Sequence, residues 1–194
     1  MVKASLYVVV TVMSLLAACS GGRPDTGLEV AVDKDGGALC ESIGGPGATT
    51  EVIDCVGCSL ESPEHAGDGD PTTASTLLTD ATGFLRLRVT AAEGIRRDGF
   101  STAGILMQPI PRPHPEVMEV TISTYLQGVI VQALPTYFAF GNTDGCSVCT
   151  TRQADDQVFI GAPTVAPYDA VEIELKIAGN VTGWQYSLFE VCGE

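Results

Sequence analysis

Basic residues are scarce in this chain, with 10 Lys and Arg set against 24 Asp and Glu in 194 residues, a formal net charge of −14. So acidic a body is poorly suited to nucleic acid or to anionic lipid headgroups. Histidine is scarcer still: His65 and His114 are the only two, and neither has a partner pattern for catalysis or metal binding. The sequence has no Gly-x-Ser-x-Gly elbow, no His-Glu-x-x-His helix and no phosphate-binding glycine loop, so the common signatures of hydrolases, zinc peptidases and nucleotide enzymes are missing. Aromatic residues make up 6%, with one Trp. No interior apolar run is long enough for a membrane-spanning helix. The longest, residues 129–140, is interrupted by Gln132, Pro135 and Thr136 and reads as strand.

The amino terminus is informative. Lys3 precedes an apolar stretch from Leu6 to Leu16, and small residues follow before Cys19, which is the pattern of a removable secretory segment too short to span a bilayer. Leu16-Ala17-Ala18-Cys19 resembles the lipobox of bacterial lipoproteins. The resemblance implies cleavage before Cys19, lipidation of that cysteine and anchorage in a lipid bilayer by several acyl chains, which hold far more firmly than one. Ser20 in place of aspartate implies the outer membrane of the envelope. Residues 1–18 are then the signal peptide. Residues 19–37, with Gly21-Gly22, Arg23-Pro24 and Gly36-Gly37, form a tether. Residues 38–194 form a single domain long enough for one sizeable core.

Six further cysteines, Cys40, Cys55, Cys58, Cys146, Cys149 and Cys192, read first as disulfides in an exported chain. A bond from Cys40 to Cys192 would tie the opening of the domain to its last strand, although the sequence does not fix the pairing. The two Cys-x-x-Cys pairs, Cys55 to Cys58 and Cys146 to Cys149, also admit a four-thiolate zinc site or a thiol-redox role. Zinc is disfavoured by the long gap between the pairs, and redox chemistry by the lack of a helix to lower a thiol pKa.

Period-2 alternation is the clearest structural signal. Leu85, Leu87 and Val89 alternate with Arg86 and Arg88; Met118, Val120 and Ile122 alternate with Glu119, Thr121 and Ser123; Val171, Ile173, Leu175 and Ile177 alternate with Glu172, Glu174 and Lys176. Trp184 to Cys192 supplies a closing strand. Tyr125 to Val129 reads as a hairpin with Gly128 at positive φ. Pro109, Pro111, Pro113 and Pro115 read as a stiff linker outside any strand. The expected fold is all-β, an antiparallel β-sandwich of jelly-roll type.

Glu64-His65-Ala66-Gly67-Asp68-Gly69-Asp70-Pro71-Thr72-Thr73 is the most distinctive interior stretch. It resembles the A-x-D-G-D-x-x-T loop of discoidin-like, galactose-binding-like sandwiches, a group that includes many carbohydrate-binding modules. The resemblance implies a structural calcium ion on Asp68, Asp70 and Thr73, hard oxygen donors of the kind calcium takes. An ordinary solvated turn accounts for the same residues. Two features depart from the family: no large aromatic follows Thr73, and Leu188 stands where a calcium-binding glutamate is usual. Asp33-Lys34-Asp35-Gly36 and Asp155-Asp156 read as polar linker and turn.

Trp184, Tyr186, Tyr125, Tyr137 and Tyr168 are candidates for a sugar-stacking platform, with Trp184 and Tyr186 foremost; filling a sandwich core is the commoner use of such residues. These features together suggest a non-catalytic, lipid-anchored envelope module that binds a glycan or an envelope partner through loops at one end. A cysteine-based metal or redox protein is the alternative. An envelope hydrolase with dispersed carboxylates is a third reading, since such pairs meet only in three dimensions.

Overall fold

The computed structural model describes residues 40–110, 117–138, 150–154, 157–178 and 183–193. Cys19, Cys146, Cys149, His114, the segments 1–37 and 111–116, and Asp155-Asp156 lie outside the described residues.

Among the described residues nine strands follow in chain order: β1 (Thr49–Glu61), β2 (Ser75–Thr90), β3 (Thr102–Ile110), β4 (Val117–Leu126), β5 (Val129–Phe138), β6 (Thr150–Ala154), β7 (Gln157–Pro163), β8 (Ala170–Ala178) and β9 (Trp184–Gly193). A 3-10 turn, Pro63–Gly67, lies between β1 and β2. All pairings are antiparallel, in the order β5-β4-β8-β2-β9-β3-β7-β6, with β1 also on β2.

β2 is what turns this ribbon of strands into two layers. Its second half, Phe84 to Thr90, pairs with β8, and its first half, Ser75 to Thr79, pairs with β9. β1 follows β2 round the bend, with a register shift between Val56 and Cys58 where Gly57 takes φ 59°. A side chain at Gly83 would meet the Cβ of Thr79 at 2.5 Å, so the corner closes only around a residue without one. Between the layers, Leu85, Leu87 and Val89 of β2 pack with Val120, Ile122, Ile173 and Leu175 from one side and Ile105, Ile160, Tyr186 and Val191 from the other. The alternation therefore has a direct structural cause: each strand shows its apolar parity to the facing layer. The all-β antiparallel sandwich expected from the sequence is the observed fold.

The β4–β5 hairpin carries positive φ at both Gln127 (52°) and Gly128 (78°), as the right-handed twist of the flanking strands favours. Pro135 lies in β5, whose one partner among the described residues is β4, so its missing N–H breaks no ladder on the open side. Pro109 corrects the expectation of a linker. It is the penultimate residue of β3, in register with Tyr186, where β3 has passed the end of β7 at Met107 and has β9 alone as neighbour.

The second layer has an outer covering as well. Cys40 is disulfide-bonded to Cys192, Ser42 bridges to Cys192, and the Ile43 N–H donates to the Val191 carbonyl at 3.0 Å. Cys40, Leu106, Phe159 and Cys192 form a small cluster separate from the main core, with Phe189 packed against it.

Candidate functional site

Three regions compete for attention, beginning with the loop that the sequence singled out. The Asp68 Oδ2 accepts from the Thr73 hydroxyl at 2.8 Å, and that hydroxyl also lies 3.0 Å from the Asp70 carbonyl oxygen. Asp68 and Thr73 therefore converge. The Asp70 carboxylate turns away from them, accepting from the Thr72 N–H at 2.9 Å and the Thr72 hydroxyl at 2.6 Å. Those bonds hold its pKa below the ordinary carboxylate value.

A residue that sequence reasoning passed over completes this region. Glu190 is 1% exposed, accepts from the Ser42 hydroxyl at 2.6 Å and from the Gly69 N–H at 3.1 Å, and is pushed up to about pKa 8. Burial is the main cause, and the nearby charges of Asp68 and Asp70 add to it. Glu190 was hidden by a bulge. β9 carries one extra residue opposite the Leu106–Met107 step, so its inward parity passes from Trp184, Tyr186 and Leu188 to Val191, and Glu190 points out under the covering segment. Among the described residues no three His, Cys, Asp or Glu side chains gather closely enough to hold an ion by themselves. A cation here would need the hydroxyl and carbonyl oxygens too.

The outer face of the first layer is an ion-pair ladder. Arg88 donates through Nε and Nη2 to Glu172 Oε2, Tyr125 OH donates to the same oxygen at 3.1 Å, and the Arg88 guanidinium lies 4.2 Å from the Tyr125 ring centroid. Arg86 bonds Glu174 at 3.0 Å and stacks beside Phe84, and Lys176 bonds Glu174 at 2.8 Å. Burial and the Glu172 charge raise the Tyr125 pKa. Opposite charges sit across the ladder in register, Arg88 with Glu172 and Arg86 with Glu174, as stable cross-strand pairing requires. The charges on this face are thus largely committed to one another.

The third region is the end of the sandwich where the loops β2–β3, β4–β5 and β7–β8 meet. An open cleft of about 780 Å³ lies there, lined by Glu93, Arg96, Asp98, Gln127 and Asp169 with apolar Ile95 and Leu126. Its size falls in the usual range for small-ligand sites. The loops are braced against one another. Ala91 N–H donates to the Asp169 carbonyl at 2.8 Å, Gln127 N–H donates to Asp169 Oδ2 at 2.8 Å, and Arg97 and Tyr168 exchange backbone bonds at 2.8 and 3.1 Å. Gln132 clasps the third loop, donating to the Pro163 carbonyl and accepting from the Val165 N–H.

Two residues beyond Asp98, Phe100 is 90% exposed and held at φ 63°. A bulky residue in left-handed backbone is uncommon and costs energy. Its N–H donates to the Thr164 carbonyl at 2.9 Å, and Thr164 N–H returns a bond to the Ser101 carbonyl, so the neighbouring loop imposes the conformation. Strained backbone of this kind tends to collect at ligand clamps. An isolated Phe between Gly99 and Ser101 was the only trace of it in the sequence.

The aromatic platform expected from the sequence is not on the surface. Trp184 is 7% exposed and Tyr186 0%, both in the main core, and Tyr168 is also fully buried. The strand parity of Trp184 and Tyr186 faces the opposite layer, which puts both out of reach of a surface ligand. Tyr125 is half-buried under Arg88, and the Tyr137 side chain lies outside the described residues. His65 bonds the Ala74 carbonyl at 3.1 Å. Cys55 and Cys58 are disulfide-bonded within extended β1, so no helix N-terminus acts on them as a redox thiol would need.

No protein-family model matches the chain, and no curated protein does. Similar solved structures include carbohydrate-binding modules and a catalytic domain. One, from a study of promiscuous specificity in modules of the β-sandwich superfamily, is 13% identical with a TM-score of 0.41, over 88% of this chain and 63% of that one. A module specific for non-crystalline cellulose is 14% identical with a TM-score of 0.39, over 86% and 99% of the two chains. A third, solved with β-1,4-galactotriose, is 8% identical with a TM-score of 0.35, over 76% and 87%. This chain thus spans under two thirds of the first of these, and overlap at such scores carries no functional argument.

Proposed function

We propose that this protein is a non-catalytic envelope lipoprotein whose loop-end cleft binds a glycan. The observation that carries the reading is the cleft itself, where Arg96, Glu93, Asp98, Gln127 and Asp169 stand beside apolar Ile95 and Leu126 on braced loops. Hydroxyl-rich ligands suit such a mixture: carboxylates accept from hydroxyls, guanidinium and amide groups donate to them, and apolar groups cover the C–H faces of the ring. The lipobox resemblance at Cys19 supplies the anchor and the outer-membrane address. Bracing before the ligand arrives lowers the ordering cost of binding.

Screening the full chain on a glycan array tests this, with Arg96→Ala and Gln127→Ala as cleft variants. The expected result is a glycan bound by the wild type and lost by both variants at unchanged melting temperature. Absence of any glycan signal, or binding indifferent to both substitutions, refutes it.

We also propose a structural calcium ion at the Asp68 to Thr73 loop. Asp68, Thr73, the Asp70 carbonyl and Glu190 offer the hard oxygens that calcium takes, whereas the Asp70 carboxylate is engaged with Thr72. A cation there would offset the mutual repulsion that helps to keep Glu190 protonated. Calcium is expected to raise the melting temperature of the wild type and not of Asp68→Ala. Identical transitions in calcium and in chelator remove the site.

A further inference from the structure

Eight large apolar side chains are exposed among the described residues, and five of them lie at the loop end: Ile95, Phe100, Val129, Ile130 and Val165. Two loops and the start of β5 present them, and the hydrogen bonds already described brace those segments together. Scattered surface apolars are ordinary, but a cluster on one end of a molecule marks a contact surface.

The covalent path toward the anchor arrives at the same end. Arg97, midway between Ile95 and Phe100, bonds the Glu41 carboxylate at 2.7 Å and the Ser42 carbonyl. Gly193 N–H donates to the Glu41 carbonyl at 2.8 Å, and the adjacent Cys40 is joined to Cys192. The described chain thus begins, at Cys40, beside the apolar loops. Twenty-one residues at the fullest extension span no more than about 75 Å, so that end is held within reach of whatever holds Cys19.

The charge points the same way. The body, residues 38–194, carries 20 acids against 7 bases, whereas the loop from Ala91 to Ser101 holds two of each, Glu93 and Asp98 with Arg96 and Arg97. With Glu41 and Asp169 this end carries four acids against Arg96 and Arg97, a surface suited to uncharged or zwitterionic lipid and not to anionic lipid.

We infer that the loop end seats on the bilayer holding the lipid anchor, with Phe100 and Val165 entering the interfacial layer of uncharged or zwitterionic lipid. The inference rests on the anchor reading and adds to the glycan reading: a ligand in the cleft would be one carried at that membrane surface. The occupant is lipid, since a second copy would account for the apolar residues but not for the tether arriving among them.

The test uses the full chain made with its leader, as wild type and as Phe100→Trp, floated on vesicles of phosphatidylcholine with or without brominated acyl chains. Trp184 is the sole native tryptophan and lies in the core, so the difference between the two proteins isolates position 100. The expected result is that the added emission shifts to shorter wavelength on vesicles and is quenched by bromine, less so when anionic lipid replaces phosphatidylcholine. Emission that stays water-like and unquenched in floated protein overturns the proposal. So does a shift that grows with protein concentration in the absence of lipid, which would assign the surface to a second copy.

Failure to float breaks the anchor reading, and lipid is then added in excess to the unanchored chain. A shift there upholds the seat, and its absence overturns it. Arg96→Ala in the Phe100→Trp background separates this from glycan binding, since loss of the array signal with an intact shift faults neither.

Discussion

Glu190 and Ser42, 148 residues apart in the chain, meet in a 2.6 Å hydrogen bond that ties the covering segment to the second layer. The carboxyl is buried and its pKa stands near 8, against an ordinary value of 4.5. Its folded pKa is raised, so the folded state holds a proton that the unfolded chain releases between those two values. Its contribution to stability is therefore fully present below about pH 4.5 and is lost as pH rises toward 8, on the order of 5 kcal/mol over the whole window. Melting temperature in chelator should fall from pH 5 to pH 8 in the wild type, and the slope should flatten in Glu190→Gln. A slope unchanged by the substitution contradicts the assignment.

The Cys40–Cys192 bond closes a separation of 152 residues, and the Cys55–Cys58 bond one of only 3. Constraint of the unfolded chain grows with the logarithm of loop length, giving about 5 kcal/mol for the first and about 2 kcal/mol for the second. Denaturant unfolding of Cys40→Ser/Cys192→Ser should thus show more than twice the loss of Cys55→Ser/Cys58→Ser. Equal losses would mean that the long bond constrains little.

Glu172 accepts from Arg88 and Tyr125, and its side chain is 8% exposed. Removing it strands a guanidinium and a phenol, so Glu172→Ala should cost about 3 kcal/mol. Glu174 bonds Arg86 and Lys176, whose side chains are 37% and 49% exposed. Solvent screens that pair, and Glu174→Ala should cost under about 1 kcal/mol. Urea midpoints of the two variants check the ordering.

Phe100 at φ 63° offers a test of strain. Glycine takes this backbone without penalty, whereas alanine keeps it, so Phe100→Gly should be more stable than Phe100→Ala by about 1 kcal/mol. If alanine is the more stable of the two, the left-handed geometry is not imposed on this position.

The strands were legible because alternation is local physics: Leu85, Leu87 and Val89 need only their neighbours to declare which way they face. Trp184 and Tyr186 obeyed the same rule, and taking them for a surface platform set residue type above parity. Glu190 was not legible. One extra residue in β9 reverses the side on which it emerges, and nothing in Leu188-Phe189-Glu190-Val191 announces a bulge whose cause lies in the pairing with β3. Pro109 misled for a kindred reason, since whether a proline fits a strand depends on how many neighbours that strand has. The cleft was beyond reach as well, because Arg96, Gln127 and Asp169 come from three loops and meet only after the sandwich has formed. Asp68 and Thr73 could be paired in advance, being five residues apart in a single turn.

The strand from Ser75 to Thr90 lends its first half to one layer and its second half to the other. Neither layer is therefore a complete object that could persist alone, and a crack opening in one runs straight through the shared strand into its counterpart. Amide protons deep in both should exchange with a common, global rate, as they would in a body that opens entirely or not at all.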